Sequence, residues 1–464
     1  MKESILFKPD NDEGLLPSLD KSQYHTSELV NSYIEGKNVK DLTEFLFRLH
    51  PADIAELISS SENENALYIF RLCDKEKQKL IFVELSEETQ SEFVSYLKLD
   101  EIAYILEDID SDDATSFISE IEPEKAEEIL NSIDKKDSDK IRSLMSFDWN
   151  TAGRFMNYDF AVVKETENAS KAIANIRKAA KTTDHIYLIY VVNSKGALRG
   201  YVSLKDIILA HQNTKIAKLM KTIHAIHYST DQEDVARFFK KYDYVSAPVV
   251  DDDNKLLGRI TVDDVMDIVD EEANEDLLRL GGVGEDEKLK TSVWESVKRR
   301  MIWLALNLLT ALLVSTIVSY FESTIQKIVV LASLMPIVAG LGGNAGTQAI
   351  TIVVRNLATG ELTLYNWYIA VRKELAIGFL NGLVLGLITF TIIFLFKQNL
   401  KLSFVMGAAM FLNLVVAGLI GSVVPLILKL LKIDPAIASS IFVTFCTDSF
   451  GFFCFLGLAS IFLK

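Results

Sequence analysis

The sequence predicts a multidomain membrane protein with an all-α superhelical N domain, a duplicated α/β part and a five-helix transmembrane domain. Three observations predict it. An apolar pair recurs every 12 residues before residue 140, and a strand–turn–strand–helix pattern repeats at a spacing of 58. After residue 300 come five apolar runs, each long enough at about 20 residues to cross roughly 30 Å of hydrocarbon.

A chain of 464 residues is longer than one core usually organises. Its charge is split to match. From Ser296 onward there are 12 Lys/Arg and 5 Asp/Glu; before that point there are 36 and 59, a net of −23 within a total of −16. An acidic soluble part lacks the positive footprint that phosphate backbones require, so nucleic acid is not an expected partner and cations are. Cys73, Cys446 and Cys454 form no spaced set with histidines, so no zinc site is suggested. The N-terminus has no apolar signal-peptide core, which leaves the soluble half in the cytosol, behind a flexible segment at 1–40.

The first unit, 41–145, is built from nine-residue blocks: Asp53–Ser61, Asn65–Cys73, Lys77–Leu85, Thr89–Leu97, Glu101–Ile109, Asp113–Ile121 and Lys125–Ile133. Positions five and six are apolar in every block, from Leu57-Ile58 to Ile129-Leu130, and position nine in the last five. Those offsets share one face of a short helix. The connectors Glu62-Asn63-Glu64, Asp110-Ser111-Asp112 and Glu122-Pro123-Glu124 are acidic, as helix starts prefer. The expectation is a small solenoid of stacked short helices.

The second unit, 146–270, holds the duplication (about 151–212 and 213–270). Val191–Asp206 lies over Val249–Asp264, each copy giving strand, polar turn, strand and a helix at a Ser/Thr cap, after amphipathic helices near Ala169–Ala180 and Asp231–Lys241. The recurring Gly, Ser/Thr and Asp make this pair resemble tandem CBS domains, modules that often sense ligands. Ser203 with Asp206 and Thr261 with Asp264 match the Ser/Thr-x-x-Asp pair by which many CBS modules hold a ribose, so ATP is a candidate ligand; ordinary N-capping explains Ser203 and Thr261 equally well.

A connecting helix is expected at 271–300, then the membrane part, 301–464, with spans Met301–Phe321, Ile328–Val354, Ala376–Phe396, Leu402–Leu431 and Pro435–Leu463. With the N-terminus inside, the inner flanks carry eight Lys/Arg and the outer flanks four, which fits the positive-inside rule. Asp448 is the acid placed deep in an apolar run, with no Lys, Arg or His in its own segment. A charge there costs about 2.5–3.5 kcal/mol even on the lenient insertion scale, so it faces a pore or a partner. It is either a protonated Asp bonded to a neighbouring helix or a cation site. Two such carboxylates across a homodimer axis would suit a hydrated Mg²⁺. In the second span Gly340, Gly342, Gly343 and Gly346 allow close helix packing, while Asn344, Thr347 and Gln348 offer neutral oxygens to an ion's waters. Pro336 should kink this helix.

The run Gly342-Gly343-Asn344-Ala345-Gly346-Thr347-Gln348, with Asp434-Pro435-Ala436 and Thr447-Asp448, strongly resembles the MgtE family of magnesium transporters, and the order of parts agrees over nearly the whole chain after residue 40. The resemblance implies a homodimer whose pore, lined by the second and fifth helices, holds hydrated Mg²⁺ at Asp448. It departs at Ser440-Ile441, where similar proteins often have Gly-Pro. The acid-rich run from Asp263 to Asp276 reads on its own as a solvated helix face or a sensor. The resemblance favours regulatory Mg²⁺ held by Asp112 or Asp113, Glu233, Asp243, Asp264, Asp267, Glu272, Glu275 and Asp276, together with Asp434. Internal Mg²⁺ would then bridge mutually repelling acids and close the pore, with Gly281-Gly282-Val283-Gly284 as a joint. Co²⁺ and Mn²⁺ remain alternative cargoes, and channel and carrier are not distinguished. An enzyme is not expected: no nucleophile–base pair or Walker loop appears, and all six histidines precede Asp231.

Overall fold

Helix caps set the register of the N-terminal repeat. The computed structural model of the chain describes residues 39–61, 63–107, 109–180, 186–283, 291–437 and 439–463, with Val30, Thr183 and Glu287. The segment expected at 1–40 falls almost wholly outside these residues, as do Glu62, Gly284 and Lys464. The repeat comprises α1 (Val39–Arg48), α2 (Pro51–Ser59), α3 (Asn63–Leu72), α4 (Lys75–Glu84), α5 (Glu87–Val94), α6 (Leu99–Leu106), α7 (Ser111–Ser119), α8 (Pro123–Ser132) and α9 (Lys135–Met145). Helices α2 to α8 each start two residues before the sequence block. In α2 and in α4 to α8 the first connector residue is the cap and the other two form the first turn: Asp74 accepts from the Lys77 N–H at 2.9 Å and Ser86 from that of Thr89 at 3.4 Å. Pro51 and Pro123 take the first helical position, where a missing N–H is harmless. Every block position five and six is buried. Edge-to-face pairs Phe70–Phe93 and Phe82–Phe117, 5.2 and 4.9 Å between centroids, tie separate repeats into one core.

The duplicated part forms two three-stranded sheets. In the first, β1 (Ala161–Lys164) runs parallel to β2 (Ile189–Val192), which is antiparallel to β3 (Leu198–Val202); α10 (Ala169–Ala179) makes the crossover. In the second, β4 (Ile226–His227), β5 (Ser246–Val250) and β6 (Leu256–Thr261) repeat that order around α13 (Gln232–Tyr242). The pair Val191↔Gly200 recurs as Val249↔Gly258, the same 58-residue offset. A Cβ at Gly258 would sit 2.9 Å from the Asn157 carbonyl, which explains why that glycine position recurs. Short helices α11 (Leu204–Leu209) and α12 (Ile216–Leu219) complete the first copy.

Helix α14 (Val262–Leu280) leaves the second sheet and α15 (Val293–Tyr320) opens the membrane part, so the helix expected at 271–300 is divided. The division is chemical. Gly282, at φ +70°, donates to the Arg279 carbonyl, and Val283 donates to that of Leu278, both at 3.0 Å. That is a Schellman stop, a defined helix cap.

By contact grouping the chain divides into two units, Met1–Val235 with Tyr242–Asp264 and Ala236–Lys241 with Val265–Lys464. Besides α15, four helices of the second unit are long and apolar enough to cross a membrane: α17 (Val330–Ala358), α18 (Trp367–Lys397), α19 (Leu400–Leu430) and α20 (Ser439–Phe462). The short α16 (Glu322–Lys327) lies between α15 and α17. Helix α17 is continuous through Pro336. Helices α18 and α19 meet along glycines four apart: a Cβ at Gly378, Gly382 or Gly386 would lie 2.7, 2.9 and 2.8 Å from the carbonyls of Leu414, Phe411 and Gly407. Because α18 starts at Trp367 rather than near Ala376, Glu374 is a further acid inside a spanning helix, 6% exposed.

Candidate functional site

Two helices of the second unit carry the groups singled out for ion handling. Asp448 is half-buried on α20, between Thr447, which is fully buried, and Ser449, which is partly buried. On α17 the small residues Gly342, Gly346 and Ala349 face inward, while Asn344, Thr347 and Gln348 lie exposed on the opposite side. The two helices cross at the small residues: a Cβ on Gly346 would stand 3.6 Å from the Thr447 methyl, and one on Gly343 4.0 Å from that of Thr444. Thr447, which precedes Asp448, and Gly346, which precedes Thr347, thus form that crossing. Thr347 returns its hydroxyl proton to the Gly343 carbonyl at 3.0 Å, leaving its lone pairs for an outside donor such as an ion's water. Ile441, at the departure from the family pattern, is buried in the first turn of α20.

Behind the seam, Asn413 of α19 is fully buried and donates to the Val338 carbonyl at 2.9 Å. Gly342 of α17 and Gly451 of α20 leave the room its carboxamide fills. Its own carbonyl oxygen has no partner among the described residues.

In the first unit the acids at the start of α7 converge. Ligand oxygens of Asp110, Asp112 and Asp113 lie within 4.8 Å of one another. Burial, then the negative charges of Asp264, Asp113 and Asp110, hold the Asp112 carboxyl well above its ordinary range. Asp264 accepts from the Thr261 N–H at 2.9 Å and its hydroxyl at 2.5 Å, yet burial pushes it up to about 6. Asp112, Asp113 and Asp264 are thus brought together, with Asp110 added by the fold. Glu233 and Asp243 are not joined to each other: they occupy opposite ends of α13, about 15 Å apart by helical rise, and Asp243 adopts a left-handed backbone as the helix cap.

In the second unit, Asp276 lies within electrostatic reach of Glu272 and Asp434, and Arg279 joins Glu275 to Asp434. Burial pushes Asp276 up to about 6, aided by Asp434 and Glu272 and opposed by Arg279. Asp434 accepts from the Ala436 N–H at 2.8 Å and from Arg279, which also pairs with Glu275. Asp267 lies exposed one turn after Asp264. Clustered carboxylates of this kind offer hard oxygen donors suited to Mg²⁺. In the first α/β copy, Ser203 accepts from the Asp206 N–H at 3.1 Å, an N-cap, and Asp206 pairs with Lys221 at 2.7 Å.

Sequence reasoning missed Asp110, Arg279 and Asn413. Arg279 stands four residues after Glu275 in an acidic helix, and Asn413 is a lone amide in an apolar run; both could have been flagged as anomalies, but not paired.

Comparison with known proteins matches each of the three parts of the chain. Residues 335–458 match the family described as divalent cation transporter, residues 49–150 the MgtE intracellular N domain, and residues 152–213 and 216–271 CBS domains. Magnesium transporter MgtE of Thermus thermophilus is 31% identical over 93% of this chain and 97% of its own length; that of Bacillus subtilis is 31% identical over 92% and 95%. The crystal structure of the cytosolic domain of the Mg²⁺ channel MgtE in complex with ATP superposes with a TM-score of 0.50 at 29% identity, over 52% of this chain and 99% of that one. The chain belongs to the MgtE family of divalent cation transporters.

Proposed function

We propose that this chain carries Mg²⁺ across the cytoplasmic membrane as a homodimer, with one Asp448 from each subunit facing a hydrated ion. The observation that carries this reading is the seam between α17 and α20. There Thr447, next to Asp448, meets Gly346, next to Thr347, and α20 holds no Lys, Arg or His to neutralise the acid. Polar side chains exposed on the outside of α17 are costly against lipid, so a second copy and a water-filled path suit them better. Outer-sphere contact through Asn344, Thr347 and Gln348 fits an ion that gives up its water reluctantly. The relatives of matching length bear the name magnesium transporter, which supports this cargo over other divalent ions.

The same reading makes internal Mg²⁺ the signal that closes the path. Two carboxylate groups support it: Asp112, Asp113 and Asp264 in the soluble part, and Glu272, Glu275, Asp276 and Asp434 below the pore helices, with Asp267, Glu233 and Asp243 as outlying donors. Burial raises three of these carboxyls, and a divalent cation is the counter-charge that relieves such a cost. ATP is proposed as a second ligand of the CBS pair, at Ser203, Asp206, Thr261 and Asp264, because the similar solved domain binds it. The test of transport is Mg²⁺ uptake into liposomes, wild type against Asp448→Ala. Loss of uptake with normal dimer yield is expected; unchanged uptake would remove the central claim. The test of closure is current at rising internal Mg²⁺ after Asp264, Asp267, Glu272 and Glu275 are neutralised together. An unshifted closing concentration would end the valve reading.

A further inference from the structure

The end of α14 is fastened to the inner ends of the pore helices by two adjacent residues. Leu280 packs among Ile350 and Val354 of α17, Val443 of α20, and Ala436 beside Asp434. Arg279 bonds both Glu275, on its own helix, and Asp434, on the turn between α19 and α20. It also draws down the Asp276 carboxyl, which Asp434 and Glu272 push the other way. One guanidinium thus serves three of the carboxylates that the proposed function assigns to regulatory Mg²⁺. These groups are partly buried: the Arg279, Glu275 and Asp434 side chains are 17, 19 and 26% exposed, so bulk water screens them only in part.

We propose that Arg279 is a tethered competitor for the regulatory cation, setting the internal Mg²⁺ concentration at which the pore closes. A carboxylate lone pair bonded to a guanidinium N–H is not available to an ion's inner or outer shell. Mg²⁺ binding at Glu275 and Asp434 must therefore displace Arg279, and the free energy of those two pairs is subtracted from the ion's affinity. Mutually repelling acids alone would bind the first divalent ion to reach them. With a fixed internal cation, the site fills only when Mg²⁺ outcompetes it. This inference rests on the reading that internal Mg²⁺ closes the pore, and it adds the residue that places the threshold.

The experiment uses the full-length protein in liposome patches, with Mg²⁺ titrated on the face that carries the soluble part, for wild type, Arg279→Gln and Arg279→Lys. Competition worth two partly buried pairs predicts closure of Arg279→Gln at about fivefold lower Mg²⁺. Arg279→Lys, which keeps a point charge without the fork, should fall between them. Equal or higher closing concentrations for Arg279→Gln overturn the inference, the higher value meaning that Arg279 only clamps the helix in place. A wild type that does not close at any Mg²⁺ concentration instead removes the valve reading itself. The Mg²⁺-dependent rise in melting temperature of the same proteins reads binding without gating. There, Arg279→Gln should saturate at lower Mg²⁺; saturation at the wild-type concentration counts against competition.

Discussion

The carboxamide of Asn413 donates to the backbone carbonyl of Val338 at 2.9 Å from a site with no solvent exposure. Because Gly342 and Gly451 give that carboxamide its space, one polar side chain on α19 spaces α17 and α20. Replacing Asn413 with Leu removes the bond and puts a branched group against two glycines, which should cost about 1–3 kcal/mol in stability. A cycle checks the geometry. A Cβ at Gly451 would sit 2.7 Å from the Asn413 nitrogen, so Gly451→Ala alone should destabilise. Combined with Asn413→Ala, it should cost less than the sum of the two, by about 0.5–3 kcal/mol. Strict additivity in detergent melts would mean the residues do not share that space.

Carboxyls raised by burial give the soluble part a pH dependence of definite sign. Burial pushes the Asp264 carboxyl up to about 6 from an ordinary 3.8, and holds that of Asp112 well above the same value. Folding therefore takes up protons as pH falls through about 6. Stability should rise on acidification from pH 7.5 to 5.5 and level off near 4, where the unfolded carboxyls protonate as well. The measurement is the melting temperature of full-length protein in chelator. Asp112→Asn should raise that temperature at pH 7.5 and blunt its pH slope; a melting temperature that falls on acidification would contradict the assignment.

The stop after α14 is a third point of test. Gly282 adopts φ +70° with nothing within 4 Å of a would-be Cβ, so the objection to a side chain is conformational, not steric. Gly282→Ala should cost about 1 kcal/mol locally. The expected sign is faster proteolysis between α14 and α15 with the global melt nearly unchanged. Equal cleavage rates would argue that the cap contributes little.

The sequence made the repeat legible because each turn of the solenoid needs the same apolar pair, such as Ile81-Phe82, and it made the sheets legible because Gly200 and Gly258 meet the same backbone crowding. Asp448 stood out because a carboxylate in an apolar run has few uses. The partnership of Arg279 with Asp434 was hidden by its 155-residue separation. Asn413 was hidden likewise, since which helices cross at Gly342 and Gly451 is a tertiary fact. Glu374 was missed for a different reason. The run Arg372-Lys373-Glu374 ends the apolar signal, but the helix continues to Trp367, as buried or lipid-facing backbone must keep its hydrogen bonds.

Glu374 also supplies a control for the ion path. It is as buried as a core residue, and the backbone at its position is met by Gly418 of α19, away from the seam where Thr447 meets Gly346. If a buried acid alone made an ion site, Glu374 and Asp448 would be equivalent. They differ in place: Asp448 follows Thr447, which meets Gly346 of α17, whereas Glu374 lies on a helix pair closed by glycines. Glu374→Gln, which keeps shape and most hydrogen-bonding capacity, should leave Mg²⁺ uptake within about twofold of wild type. Asp448→Asn, an equally small change, should lower it by at least about tenfold, the equivalent of 1.4 kcal/mol at the ion. Parallel liposome uptake of the two variants, normalised to reconstituted protein, reads the difference directly. Comparable loss in both would route the ion past Glu374 and move the pore wall from α17 and α20 toward α18.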